Sequence, residues 1–247
     1  MPDTELLASE IYNAEKTVTP IQPITNMYPD VSQDEAYEIQ LEYVKKRLEN
    51  GATVRGKKIG LTSQAMQDML GVDQPDYGHI FDDMMYNEGE KIDTEKFIKP
   101  RIEFEIAFVL KEDIEAGDLT ADNVADYIDY VLPAAELIDS RICDWKIKFE
   151  DTVSDNGSSA GAVLGDKQLK LSEIDLPAER MEIFKNGIKI DEGYGNAVLG
   201  NPLEAVVWLA KALHGYNIKL KKGEVLLAGS LTKAMDVAAG DIFEAHF

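Results

Sequence analysis

Between Arg101 and Leu110 the chain alternates: Ile102, Phe104, Ile106, Phe108 and Leu110 fall at every second position, with Glu103 and Glu105 between them. A period of two predicts a β-strand whose apolar side chains face a core and whose two glutamates share the opposite face. The apolar stretch 131–139 predicts another strand and carries a third carboxylate, Glu136. The first 50 residues follow helical spacing instead. Ser32 and Glu35 make a capping box, Tyr37, Leu41, Val44 and Leu48 recur along one helical face, and Gly51 supplies the stop. Further along, the pattern predicts a short strand over 55–62, a helix capped by Ser63 and ending near Gly71, and a Pro/Gly loop over 74–81. A helix over 120–130 should lead into the Glu136 strand. A hairpin over 181–190 should turn at Asn186-Gly187. Asn201-Pro202 should start a helix that buries Leu203, Val206, Val207 and Ala210, and residues 223–229 should form a late strand. Short, irregularly spaced strands with helices gathered early indicate an α+β fold with a mixed sheet rather than a repeated βαβ unit.

Three carboxylates on strands admit two readings. A strand with one polar face is often half exposed, with its glutamates in water. Alternatively, buried carboxylates need a positive partner, and a hard divalent cation with oxygen ligands supplies one. Composition narrows the partners. The chain has 247 residues and a formal net charge of −21, which argues against DNA, RNA or an anionic membrane surface. No apolar run approaches the ~18 residues of a membrane span, and the acidic N-terminus lacks a basic-then-apolar leader. The single cysteine, Cys143, excludes an internal disulfide and fits a cytoplasmic location. An acidic protein that acts on a small anionic substrate needs a local positive focus, which a metal would provide. The three histidines are scattered and form no zinc-ligand spacing. Dinucleotide, phosphate-loop and Gly-x-Ser-x-Gly signatures are also lacking.

Three further stretches carry chemistry. In the segment 56–62, alternation places Lys58, Gly60 and Thr62 on one face and Lys57, Ile59 and Leu61 on the other. A lysine facing a closed pocket can hold an oxyanion or move a proton; on an exposed edge strand it would only deter pairing. The predicted loop over 74–81 could project Asp76 and His79. The stretch from Asp139 to Ser159 mixes aromatics and charges and ends in small polar residues. It suits a lid or pocket wall, with Ser158 or Ser159 as a hydrogen-bond donor, or else a long solvated connection.

Lys-Ile-Gly-Leu-Thr, Gln-Pro-Asp-Tyr-Gly-His, Glu-Phe-Glu-Ile-Ala-Phe-Val-Leu, Glu-Leu-Ile-Asp-Ser-Arg-Ile, Asp-Trp-Lys-Ile-Lys and Gly-Glu-Val-Leu-Leu-Ala-Gly-Ser occur in this order. Together they resemble the 2-hydroxypenta-2,4-dienoate (2-keto-4-pentenoate) hydratases of the fumarylacetoacetate hydrolase superfamily, over nearly the whole chain. The resemblance implies a mixed, strongly curved β-sheet with flanking helices. It also implies a mainly helical region over 1–75, packed on a catalytic sheet domain over 76–247 as one compact unit. It implies Mg²⁺ or Mn²⁺ held by Glu103, Glu105 and Glu136, with Lys58, Asp76 and Ser159 catalytic. Thr62, His79, Ser158, Gly229 and Ser230 should line the substrate pocket. The reaction expected is hydration of a short 2-hydroxydienoate, as in aromatic meta-cleavage catabolism, by a homo-oligomer associated with a sister enzyme. The alternatives are 4-oxalocrotonate decarboxylase, an acylpyruvate-type hydrolase, for which no His-Glu pair is found, and a non-catalytic binding subunit. Relatives commonly continue past the position of Phe247 into one more strand, which leaves a terminal strand here in question.

Overall fold

The computed structural model describes residues 2–115 and 119–247, without the side chains of Met69 and Leu70. Three helices come first: α1 (Thr4–Thr17), α2 (Ile24–Met27) and α3 (Gln33–Glu49). They are followed by β1 (Val54–Gly60), α4 (Gln64–Leu70), β2 (Asp76–Phe81), β3 (Met85–Asn87) and β4 (Arg101–Leu110). Next come α5 (Ala121–Val124), β5 (Ile128–Ile138), α6 (Phe149–Ser154) and β6 (Ser159–Leu164). The chain ends with β7 (Arg180–Lys185), β8 (Ile188–Tyr194), α7 (Pro202–His214), β9 (Val225–Ser230), β10 (Met235–Asp236) and β11 (Phe243–His246). The large sheet has the order β2-β1-β9-β4-β5-β6-β3, with β10 added beside β4. β1–β9 and β3–β6 are parallel and the other pairs antiparallel, so the sheet is mixed. It curls until β2 comes alongside β6. β11, β7 and β8 form a separate small sheet.

Both faces of the large sheet are covered at its centre, which explains why β2 and β4 show no solvated side. On one face Ile102, Phe104, Ile106 and Phe108 join Ala205, Val206 and Leu209 of α7. On the other, Ala107, Val109, Leu132 and Ala134 pack with Leu7 and Ile11 of α1 and Ile39 and Tyr43 of α3. β4 therefore spends its polar positions only at its N-terminal end, where Glu103 and Glu105 lie.

Several expected elements appear as read. Ser32 and Glu35 close the capping box of α3, and Ser63 accepts from the Met66 N–H at the start of α4. The β7–β8 turn places Asn186 and Gly187 at φ 53° and 77°, the left-handed pair that a tight hairpin turn requires.

Others differ. The stripe of α3 is shifted: Tyr37 and Val44 are buried, but Leu48 is exposed, and Gln40 and Arg47 go inside instead. Gln40 is inward because its amide bridges the carbonyls of Tyr77 and Val153; Arg47 is inward because it meets Glu15 and Asp83. The helix expected over 120–130 yields to β5 from Ile128, since β5 runs paired along β4. Residues 76–81 form a buried strand rather than a loop, with β1 as partner. β1 itself is flanked by β2 and β9, so its lysines are not edge residues. β11 forms and pairs with β7, closing the small sheet. Among the described residues, no helix is long and apolar enough to cross a membrane.

Candidate metal centre and active site

Alternation along β4 sends Glu103 and Glu105 to the same face, and the β4–β5 register sets Glu136 directly across from Glu103. One carboxylate oxygen from each lies within 4.8 Å of the others. Glu105 and Glu136 are fully buried; Glu103 is half-buried, so the cluster opens toward the N-terminal end of β4. The Gly229 N–H donates to Glu105 Oε2 at 2.7 Å. Glu105 Oε1 and both oxygens of Glu136 have no hydrogen-bond partner. Burial, followed by the neighbouring Glu103 charge, pushes the Glu105 carboxyl up to about 8. Burial likewise raises Glu136 well above the ordinary range, against the pull of Lys58. A native core rarely leaves carboxylate oxygens buried and unpartnered. These two carboxylates and the half-buried Glu103 converge on one point and form a donor set suited to a hard divalent cation.

Lys58 reaches the cluster from β1. Its Nζ lies 3.7 Å from Glu136 Oε2 and donates to the Gly157 carbonyl at 2.9 Å. Burial disfavours its charge, but Glu136, Asp76, Glu103 and Glu105 outweigh this and raise its pKa, so it stays an ammonium. Asp76 sits across from Gly60 in the β1–β2 register, on the Lys58 face. Burial raises its pKa, and the Lys58 charge pulls the other way. Gly60 makes room for both: a Cβ there would overlap Asp76 Oδ1 and lie 3.0 Å from Lys58 Nζ. Gly60→Ala is therefore expected to cut turnover by ~10²-fold, the cost of roughly 1 Å of misplacement, with an unchanged far-UV circular dichroism spectrum. Steady-state kinetics on the folded variant checks this.

Asn156, Gly157 and Ser158 hold φ of 55°, 60° and 55°, three left-handed residues in succession. Such a turn is costly outside glycine and needs external support. The Asn156 amide clamps both backbone groups of His79, at 2.7 and 2.9 Å. The buried Asp155 takes the Ser158 hydroxyl and the Arg141 guanidinium. The result is a fixed carbonyl, Gly157 O, aimed at Lys58. The two ends of the stretch, 139–142 and 151–159, are thus a buried wall held by an ion pair, and 143–148 between them are partly exposed.

The structure does not bring every expected residue to the cluster. His79 projects from the opposite face of β2 and is level with Lys57. It is buried, and burial together with Lys57 pushes it down to about 3, so it is a neutral core histidine. Its expected place beside the substrate followed from reading 74–81 as a loop; strand alternation turns it away. Leu61 takes φ 55°, which breaks the alternation of β1, and Thr62 packs against Gly229. Ser158 is occupied by Asp155. The Ser159 hydroxyl is buried and unpartnered, two residues beyond the carbonyl that holds Lys58. The Ser230 hydroxyl accepts from the Thr232 N–H. Sequence reasoning missed Asn156, Gly157 and Thr152, whose hydroxyl favours the charged form of Asp76. The Asn-Gly-Ser run was the available signal, since Asn and Gly lead in left-handed positions.

No protein-family model matches the chain. The 2-keto-4-pentenoate hydratase of Paraburkholderia xenovorans strain LB400 is 42% identical over 242 residues, covering 98% of this chain and 90% of that protein. The 4-oxalocrotonate decarboxylase of Pseudomonas putida G7, solved with magnesium and adipate, superposes with a TM-score of 0.95 at 35% identity, covering 98% and 92% of the two chains. The fumarylpyruvate hydrolase of Pseudomonas aeruginosa, solved with Mn²⁺ and pyruvate, has a TM-score of 0.60 at 12% identity over 78% of this chain and 84% of its own, a likeness of fold alone. With such identity to a hydratase along almost its entire length, on a fold of the fumarylacetoacetate hydrolase type, the chain belongs to the 2-keto-4-pentenoate hydratase family.

Proposed function

We propose that the protein hydrates 2-hydroxypenta-2,4-dienoate to 4-hydroxy-2-oxopentanoate with Mg²⁺ or Mn²⁺ at Glu103, Glu105 and Glu136. The observation that carries this reading is the convergence of two buried carboxylates and a half-buried third, within 4.8 Å of one another, beside a buried lysine. A bound divalent cation would supply a Lewis acid for the substrate's 2-oxygen and carboxylate. The chain's own residues do the rest. The Lys58 ammonium, fixed by Gly157, stabilises negative charge at the 2-oxygen or passes a proton from there. Protonation at C5 gives the conjugated 2-oxo-3-enoate, and water then adds at C4 with a proton delivered to C3. Asp76, with its pKa raised by burial, is a suitable carrier for the water proton. That the buried Ser159 hydroxyl has no partner supports a role for it in orienting water or substrate. Burial of the cluster excludes bulk solvent and strengthens each of these interactions.

The test incubates the protein and Mg²⁺ with the dienoate in deuterated water. The expected product carries a 4-hydroxyl group, with deuterium at C3 and C5. The decarboxylase reading is favoured by the close superposition on 4-oxalocrotonate decarboxylase and predicts CO₂ release from 2-oxohex-3-enedioate without turnover of the dienoate. The higher identity to the hydratase favours hydration. We also read the protein as a cytoplasmic homo-oligomer. The lone cysteine supports the compartment, and exposed Ile188, Ile190 and Ile242 near the small sheet support self-association. Association with a sister enzyme rests on the family resemblance alone.

A further inference from the structure

Two buried side-chain amides tie β2 to the segment 149–158. One is Asn156, which holds both backbone groups of His79. The other is Gln40 of α3, fully buried, whose Nε2 donates to the Tyr77 carbonyl at 2.9 Å and to the Val153 carbonyl at 2.8 Å. Tyr77 directly follows Asp76 in β2, and Val153 directly follows Thr152 in α6. The Gln40 amide therefore grips the backbone on each side of the contact between the Thr152 hydroxyl and Asp76. Val153 also leads into the turn whose Gly157 carbonyl holds Lys58. α6 has only six residues, too few to hold a position by its own hydrogen bonds. It is fixed from outside. Asp151 takes the Thr25 N–H and hydroxyl at 3.0 and 2.8 Å, and Val153 takes Gln40.

The residue type is informative. Two carbonyls facing one point call for a neutral group with two donors. A carboxylate lacks the donors, and a cation would bring a buried charge. Yet Gln40 Oε1 is buried and has no partner. An acceptor stranded in the core works against stability, and an apolar side chain would fill the space without that cost. Its two backbone targets point to alignment as its role.

We infer that Gln40 is a positioning residue for Asp76: from α3 it sets the separation of β2 and α6, and with it the Thr152–Asp76 contact beside Lys58. Both donors of its amide are used on the backbone, so it acts on the reaction through Thr152 and Asp76 and not by touching substrate. The inference rests on the role of Asp76 proposed above and names the residue that holds it in place.

A double-mutant cycle tests this, with hydration of 2-hydroxypenta-2,4-dienoate by the Mg²⁺-loaded protein measured per folded molecule. Gln40→Met keeps the length and removes both donors; Thr152→Val keeps the shape and removes the hydroxyl. Each should lower kcat by ~10-fold with KM within about 2-fold, a part of the ~10²-fold loss that follows a misplaced catalytic group. Together they should cost no more than about 3-fold beyond either alone, because both act on one contact, whereas independent effects would multiply to ~10²-fold. Gln40→His retains one ring donor, should fall between Gln40→Met and the wild type, and serves in the cycle if Gln40→Met does not fold. Ile39→Ala removes a fully buried apolar side chain next to Gln40. It should lower the melting temperature at least as far as Gln40→Met while leaving kcat within about 2-fold of the wild type. The inference is overturned if the Gln40 variants leave kcat per folded molecule unchanged, if their loss multiplies with that of Thr152→Val, or if Ile39→Ala lowers kcat equally. A wild type that does not hydrate the dienoate removes the proposed reaction and the inference with it. Hydration that survives loss of the Gln40 amide removes the inference alone.

Discussion

Glu136→Gln is expected to abolish turnover, by ~10³-fold or more, and at the same time to raise the melting temperature of the metal-free protein. The first effect follows from ligand count. A hard cation held by three carboxylates loses one of its anionic donors, and the site has little else to hold it. EDTA should likewise inactivate the wild type, with Mg²⁺ or Mn²⁺ restoring it; full activity in excess EDTA would remove the metal from the reaction. The second effect follows from burial. Glu103, Glu105 and Glu136 converge with Asp76 around the single ammonium of Lys58, so negative charge is in excess when no cation is present. An amide at position 136 removes one charge and offers N–H donors to the orphaned Glu105 Oε1. The gain should appear as about 2–4 °C for each kcal/mol of repulsion relieved in a chain of this size.

The pH dependence has a defined sign. A carboxyl whose pKa is raised on folding takes up a proton between its unfolded and folded values. Its contribution is therefore fully favourable at acidic pH and is lost as pH rises through the folded value. For Glu105 that window runs from 4.5 to about 8. In EDTA the advantage of Glu136→Gln over the wild type should thus grow from pH 5 to pH 8, and saturating Mg²⁺ should reverse it. Thermal denaturation across that range, with and without metal, is the measurement. A variant that is less stable than the wild type at pH 8 in EDTA would show that the cluster is not under charge strain.

The carboxylate cluster was legible in the sequence because it depends on local periodicity. Alternation fixed the shared face of Glu103 and Glu105, and a single register brought Glu136 opposite. Lys58 was legible for the same reason, once 55–62 was taken as a strand. What the sequence hid depends on long-range closure or on backbone. The Gly157 carbonyl acts through no side chain at all, and its direction comes from a left-handed turn supported by Arg141, Asp155 and β2. The strand character of 76–81 was masked by Pro75 and Gly78, which read locally as loop residues. Gly78 is in fact required where β2 passes under the Asn156 carbonyl, because a Cβ there would overlap it. The burial of Lys57 depended on Glu224, 167 residues away, beyond the reach of any periodicity.

The paired lysines of β1 separate chemistry from stability. Lys58→Ala should reduce turnover by ~10²-fold or more, as for a lost acid–base or oxyanion group, while the protein stays folded. Removing this ammonium also leaves Glu136 and Asp76 without their nearest cation, so metal should become the dominant stabilising partner of the cluster, and the melting temperature of Lys58→Ala should respond more steeply to added Mg²⁺ than that of the wild type. Lys57 lies on the other face, where its Nζ donates to both oxygens of Glu224 at 2.8 Å and both side chains are buried. Lys57→Ala strands a buried carboxylate and should destabilise the fold by about 3–5 kcal/mol, yet the fraction that remains folded should turn over substrate nearly as the wild type does. Lys57→Met combined with Glu224→Leu replaces the ion pair with apolar volume and should recover most of that loss, since such exchanges are often neutral or better. Urea denaturation of all three variants, alongside turnover per folded molecule, distinguishes the two lysines. If Lys57→Ala impairs turnover per folded molecule while Lys58→Ala spares it, the assignment of the β1 faces to chemistry and to core is reversed.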